Sequence, residues 1–322
     1  MKKIWIFLWI VCCALYSSCS LLEVEPVSTI TSQSFWKNSG DAKAYLTGIY
    51  NKVRALNNTS LYGEDRGDAF KVGEIGPSTN AWAQNLLENN APSYRDAYNI
   101  IHHTNLLLYK IDGLSFTNEA DKNRIKAETY YLRAQTYFFL VRIWGDAPIL
   151  LDPVLSDKIE LKPRSPKEEV MKQVLSDIEQ SLSLFPEEGF VNKNYSSKPA
   201  AYALKADALL WKAKVLNGGD SDLNEAVNAI NEVEKSGVEL LPEYASVFNN
   251  ANKRNAEIIF SLYFERYETG NLSIATNTTS RTDNLSMAVN LDEAATSPNQ
   301  SRHVYAPSEK TRALYLKYPG DK

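Results

Sequence analysis

Residues 124–150 read RIKAETYYLRAQTYFFLVRIWGDAPIL. As far as Trp144 the pattern is an amphipathic helix crowded with aromatic residues. It stops on Trp144-Gly145-Asp146-Ala147-Pro148, and the apolar Ile149 and Leu150 follow the break. Glycine can take the left-handed cap conformation that other residues avoid, and proline forbids further helix, so the spacing predicts a helix that ends at Trp144.

Helical patterning continues on both sides. Residues 94–111, YRDAYNIIHHTNLLLYKI, pair with 119–144 through the short link DGLSFTN. Asp41 is expected as N-cap of a first long helix, DAKAYLTGIYNKVRAL, striped by Ala44, Tyr45, Gly48, Ile49 and Val53. Ser165 and Pro166 predict another helix start, a cap followed by a tolerated proline. Its stripe is Val170, Val174, Leu175, Ile178, Leu182 and Phe185. The alanine-rich run from Pro199 to Leu216 can approach a neighbour closely, and a shorter helix runs from Leu223 to Lys235. Helices in successive pairs with small residues at contact positions suggest a TPR-like solenoid, but a strict repeat period is absent, so periodicity alone leaves the repeat open. Residues 57–92 are rich in Asn, Gly and Pro, and so long a connection inside a compact domain is functional or mobile. The run EIIFSLYFERYE, from Glu257, alternates in part and predicts a strand. Residues 268–308 are loop-like, and TRALYLKY after them is helix-like.

The 124–150 run resembles the SusD/RagB-like nutrient-binding outer-membrane lipoproteins of Bacteroidetes, in which RAE..YLRA..YF.L...WGD.P lies on a helix of the N-terminal half. Glu128, Leu132, Arg133, Ala134, Tyr137, Phe138, Trp144, Gly145, Asp146 and Pro148 fit it, and Ala127 precedes Glu128. Leu22, Pro26, Thr29 or Thr31, Phe35, Trp36, Asp41 and Ala42 follow the family's approach to its first helix. The resemblance implies a mainly all-α fold, an irregular TPR-like helical-pair solenoid with a loop-rich C-terminal part. In that plan 19–40 is an extended tether, 41–256 the TPR-like domain, and 257–322 the start of an incomplete C-terminal region, the chain being C-terminally truncated relative to the family.

The leader supports the same assignment. Lys2 and Lys3 precede an apolar core from Ile4 to Tyr16, the length of a signal-peptide core and short for a membrane span. Ser17 and Ser18 then stand before Cys19, as at a bacterial lipoprotein cleavage site, with 1–18 as the signal peptide and Cys19 lipidated. Tyr16 occupies the place where leucine is usual, and the competing reading is a plain secretory signal. The three cysteines, Cys12, Cys13 and Cys19, all lie here, so no disulfide braces the body. Stability must come from a core, which a 44% hydrophobic chain can bury. The formal charge of −4 becomes −6 once Lys2 and Lys3 are removed, and no basic tract offers a footprint for nucleic acid.

Enzyme signatures are sparse. His102 and His103 are adjacent on a predicted helix and point in different directions, which denies them a metal pair. Asp220 to Asn224, DSDLN, imitates a calcium loop but has Glu225 where glycine is needed, and it is expected to cap a helix instead. No cofactor and no metal are expected. Arg66-Gly67-Asp68 is a chance tripeptide, and Glu23 and Glu25 sit on the tether, where glycosidase geometry has no support.

A sugar is met by a flat aromatic ring with hydrogen-bonding groups around its edge. Tyr130, Tyr137, Phe138 and Trp211 lie on helix stripes and are expected in the core. The loops carry Asp65, Arg66 and Asp68, then Asn80, Trp82 and Asn85, and later Tyr305 with His303 beside it. By resemblance these shape a ligand site, although Trp82 reads equally well as a loop anchor packed on the scaffold. The resemblance also implies a surface-exposed, lipid-anchored outer-membrane protein that passes an oligosaccharide to a SusC-like TonB-dependent transporter. Peptide capture, as in RagB-type members, and a helical scaffold with only a protein partner are the rival readings.

Overall fold

The computed structural model describes residues 35–57, 62–67, 69–72, 79–158, 161–265 and 305–317. Cys19, Asp68 and His303, and most of the tether, lie outside them. Met1–Lys37 is a unit separate from Asn38–Lys322, and the architecture below is that of the second unit.

Among the described residues the body is mostly helical. Helix α1 is Ser39–Asn57, α2 Arg95–Ile111, α3 Glu119–Trp144, α4 Lys167–Leu184, α5 Lys198–Val215, α6 Asp220–Glu234, α7 Tyr244–Val247 and α8 Glu309–Lys317. Strands β1, Phe70–Val72, and β2, Tyr305–Pro307, form one antiparallel pair in which Phe70 faces Pro307 and Val72 faces Tyr305. From α1 to α6 each helix packs against the next, and α3 also touches α1 and α5. None of the described helices is long and apolar enough to cross a membrane.

Helix α3 is the centre of the stack. Leu132, Ala134 and Tyr137 are fully buried, and Ile125, Tyr131, Phe138, Leu140 and Val141 nearly so. Each large side chain so buried contributes roughly 1.5–3 kcal/mol. Tyr137 and Phe138 belong to the core as expected, while Tyr130 and Trp211 are half-buried. Trp211 meets Phe138 edge-on at 6.1 Å between ring centroids, and Tyr130 lies beneath the Arg133 guanidinium at 5.2 Å. Arg133 joins three helices: its Nε and Nη2 donate to the Asp177 carboxylate of α4 at 2.9 and 2.6 Å, and its Nη1 to Asn105 Oδ1 of α2 at 2.9 Å. Burial raises the Asp177 carboxyl, against the opposing pull of Arg133 and Gln173.

The break after α3 does more than end a helix. The Gly145 N–H donates to Val141 O at 3.1 Å, with φ at 74° and ψ at −111°. That is positive φ, but not the left-handed helical well that the sequence suggests. Asp146 Oδ1 accepts from the Lys167 N–H at 2.9 Å and so caps α4. Ser165, the expected cap, instead pairs its backbone with Ala147, and Pro166 occupies the N-cap position without a side-chain bond. Beyond the turn, Tyr98 Oη donates to Pro148 O and Tyr137 Oη to Leu150 O, both at 2.8 Å, and Leu150 N returns a bond to Tyr137 Oη. The aromatic hydroxyls of α2 and α3 thus supply partners to a segment with no ladder of its own.

Three other expectations shift. Asn38, not Asp41, is the N-cap of α1: Asn38 Oδ1 accepts from Gly40 N at 2.8 Å, and Asp41 Oδ2 accepts from Asn38 N at 2.9 Å. This is a reciprocal capping box, with Asp41 as its third-position acid. Helix α6 begins at Asp220 because Asp220 and Asp222 both favour its first turn, and Asp222 pairs with Lys212 at 2.6 Å. The strand expected from Glu257 is absent through Glu265. That stretch docks instead on the loop before α5, with Ser261 N donating to Lys193 O at 2.9 Å and Phe260 packing on Tyr131.

Candidate ligand-binding cleft

The predicted loop residues divide into those that brace and those that face outward. Asp65 is 2% exposed in a short 3-10 turn, Glu64–Arg66, and its Oδ2 accepts from Thr79 Oγ1 at 2.8 Å. The same Thr79 oxygen accepts from the Trp82 N–H, and the Trp82 indole N–H donates to Phe70 O at 3.2 Å. Tyr305 is 5% exposed, on β2 opposite Val72, with its ring 6.1 Å from Phe70. Asp65, Trp82 and Tyr305 therefore converge on one small sheet. The loop is held to the far end of the chain by further bonds: Ser308 N and Thr311 Oγ1 both donate to Ala69 O, and Lys71 pairs with Glu309 at 2.7 Å. Asn80 and Asn85 are exposed and joined by a backbone bond of 2.9 Å.

Arg66 is exposed. It lines a cleft of about 640 Å³ between the 62–66 turn, the end of α1, and one face each of α3 and α5. Leu56, Tyr62, Phe138, Phe139 and Leu204 supply the apolar wall, and Arg66, Arg142, Asp207 and Gln135 the polar one. Arg142 reaches Asp207 at 3.6 Å, both half open to solvent, and stacks over Phe138 at 5.1 Å. Gln135 Oε1 is buried in the wall without a hydrogen-bond partner among the described residues. An aromatic chain leads out of the cleft: Tyr62 meets Phe139 at 5.0 Å and Trp144 at 5.5 Å, and Trp144 meets the exposed Tyr94 at 6.0 Å. Burial raises the Tyr62 phenol and the Asp96 charge adds to it, so the hydroxyl remains a donor at neutral pH. Half-buried aromatic edges beside two guanidinium groups suit a ligand with apolar faces and a rim of acceptors.

His102 and His103 do not contribute to this cleft. His102 Nδ1 accepts from Val154 N, and His103 Nδ1 bonds Tyr45 Oη. Burial lowers the His103 imidazole to about 4, helped by Lys52 and His102. Among the described residues no group of three or more His, Cys, Asp or Glu is placed to hold a metal ion.

A family model described as "SusD-like_3: Starch-binding associating with outer membrane" matches residues 22–210. The chain belongs to the SusD-like family. It is similar to SusD-like protein P25 of Formosa agariphila, 28% identical over 286 residues, which cover 82% of this chain and 51% of that protein. Among solved structures, a SusD superfamily protein of Bacteroides fragilis aligns with TM-score 0.74 and 27% identity over 88% of this chain and 61% of that one. B. fragilis NanU aligns with TM-score 0.69 and 28% identity over 81% of this chain and 55% of that one. This SusD-like chain thus spans about half the length of the first of these relatives.

Local reading of the sequence missed Tyr62, Gln135, Phe139, Arg142 and Asp207. A signal was present. Gln135, Phe138 and Arg142 recur at the three- and four-residue spacing of one helix face, and a helix apolar on nearly every side must meet something on each of them.

Proposed function

We propose that this SusD-like chain is a surface-exposed lipoprotein of the outer membrane, held by acyl chains on Cys19, which binds an oligosaccharide and passes it to a SusC-like TonB-dependent transporter without bond chemistry. The observation that carries the reading is the cleft under Arg66, where aromatic edges and guanidinium donors meet in a chain of a family described as starch-binding. Its volume lies within the roughly 300–1,000 Å³ common for small-ligand sites. Asp65, Trp82 and Tyr305 fix the loop that presents Arg66, while Asn80 and Asn85, which do not line the cleft, are exposed on the adjoining 79–85 segment. Two acyl chains hold a protein stably on a membrane where one is marginal.

A glycan array on the purified chain tests this. The expected result is an oligosaccharide hit that weakens tenfold or more on Arg66→Ala and on Phe139→Ala. Arg66, Arg142 and Asp207 also suit the charged ends of a peptide, which is the second reading. Binding to peptides alone would replace the sugar assignment, and binding to a transporter barrel alone would reduce the chain to a scaffold.

A further inference from the structure

A second cavity, of about 520 Å³, lies between the N-terminal half of α1, the first turns of α3 and the 185–197 segment, apart from the Arg66 cleft. Its floor includes Glu128, which is 5% exposed. Glu128 Oε2 accepts from Tyr50 Oη at 2.6 Å, and Tyr50 Oη in turn accepts from Ser196 N at 2.8 Å. Among the described residues no group donates to the other oxygen, Oε1. Arg124, one turn earlier on α3, is already committed: it bonds both carboxylate oxygens of Glu187, and its Nη1 donates to Asp121 Oδ1 at 3.1 Å. The charged groups of the wall are therefore three carboxylates, Asp121, Glu128 and Glu187, against two cations, Lys43 and Arg124. Lys43 is exposed at the start of α1. A nearly buried carboxylate with one donor and no dedicated counter-ion is costly to ionise, and burial pushes the Glu128 carboxyl up to about 7, although Tyr50, Arg124 and Lys43 oppose the shift. Around it, Leu46, Phe116, Ile125 and Phe185 offer apolar surface for a carbon skeleton.

We propose that this cavity binds the primary ammonium group of a small molecule, with Glu128 as its counter-ion. An ammonium carries three donors and one positive charge. It fills the open acceptor Oε1 and balances the third carboxylate, and no covalent step is involved. Two sources present that chemistry, an amino sugar and the free amino terminus of a short peptide. The ammonium selects the ionised carboxylate, so affinity for glucamine, whose alkyl amine stays protonated through pH 8, rises with pH. At pH 6 only about a tenth of Glu128 is ionised, and apparent affinity there is about tenfold weaker than at pH 8.

The test is calorimetric titration of the purified chain with glucamine and with sorbitol, which differ by an ammonium in place of a hydroxyl. Glucamine is expected to bind at least tenfold more tightly at pH 8, and the advantage to shrink at pH 6. Glu128→Gln keeps the Tyr50 bond and the shape, so it removes the preference while the thermal melt confirms folding. Val191→Trp, at a 67% exposed position on the rim, blocks glucamine without touching the carboxylate. Equal binding of glucamine and sorbitol, or a preference that survives Glu128→Gln, overturns the proposal. Glucosamine and trialanine, compared at pH 7 where both amines are mostly charged, then separate the two sources by which binds more tightly. Arg66→Ala lies in the other cleft and leaves glucamine binding unchanged, so the outcome is independent of the oligosaccharide assignment.

Discussion

Glu128 shows how one residue can tie folding to pH. Its carboxyl is raised from the usual carboxylate range to about 7 because burial penalises the charge. The sign follows from proton counting. Between about 4.5 and 7 the folded chain holds a proton that the unfolded chain has released, so stability falls as pH rises through that window and stays lower above it. The shift corresponds to about 3 kcal/mol once Glu128 is fully ionised, at 1.36 kcal/mol per unit. Urea melts of the native chain are expected to show lower stability at pH 8 than at pH 5, and Glu128→Gln to flatten that difference; an unchanged slope would remove Glu128 as its source. Gly145 makes a purely conformational contrast. A Cβ added there meets nothing within 4 Å, so Gly145→Ala suffers only from its backbone, φ 74° and ψ −111°. The expected cost is about 1–3 kcal/mol by urea melt, and a neutral result would show that the turn relaxes.

Among the elements, helices were legible and their junctions were not. The ends of α2 and α3 follow from periodicity and from Gly145, since both signals are local. The cap of α4 was misplaced because its acceptor, Asp146, lies 21 residues earlier and reaches Lys167 only after the chain folds back. The stretch from Glu257 has strand composition, yet through Glu265 it pairs with no strand among the described residues, and it bonds to Lys193 and Asn194 as an irregular segment. Propensity for a pleated surface is realised only where a partner strand exists. The junction of α3 and α4 also carries the buried ion pair. Arg133→Met should destabilise by about 3–5 kcal/mol, because Asp177 is left charged and unpaired, whereas removing both charges with Arg133→Met and Asp177→Leu should recover most of the loss. Denaturant melts of the two variants check this, and equal losses would mean that shape, not uncompensated charge, is what Arg133 supplies.

Across the whole molecule, the cleft joins parts of the chain that no local pattern connects. Loop composition alone pointed to Arg66 and Trp82, but could not tell an exposed side chain from a bracing one. The difference lies in partners more than two hundred residues away: β1 pairs with β2, Tyr305 packs on Phe70, and Thr311 bonds Ala69. The Trp82 indole donates to the same strand. The loop that presents Arg66 is thus clamped to the C-terminal part of the chain as well as resting on α3 through Tyr62. The helical body is built on α3, which packs against α1, α2, α4 and α5. Tyr305→Ala is therefore expected to raise amide hydrogen exchange in 62–72 and 79–85 while α2 to α5 keep their protection. On the proposed function, the same substitution weakens oligosaccharide binding several-fold although Tyr305 touches no ligand, because Arg66 is no longer held in place. Exchange that rises equally across α3 and α4 would show that the small sheet supports the core itself, and the separation between a rigid stack and a clamped binding loop would then be lost.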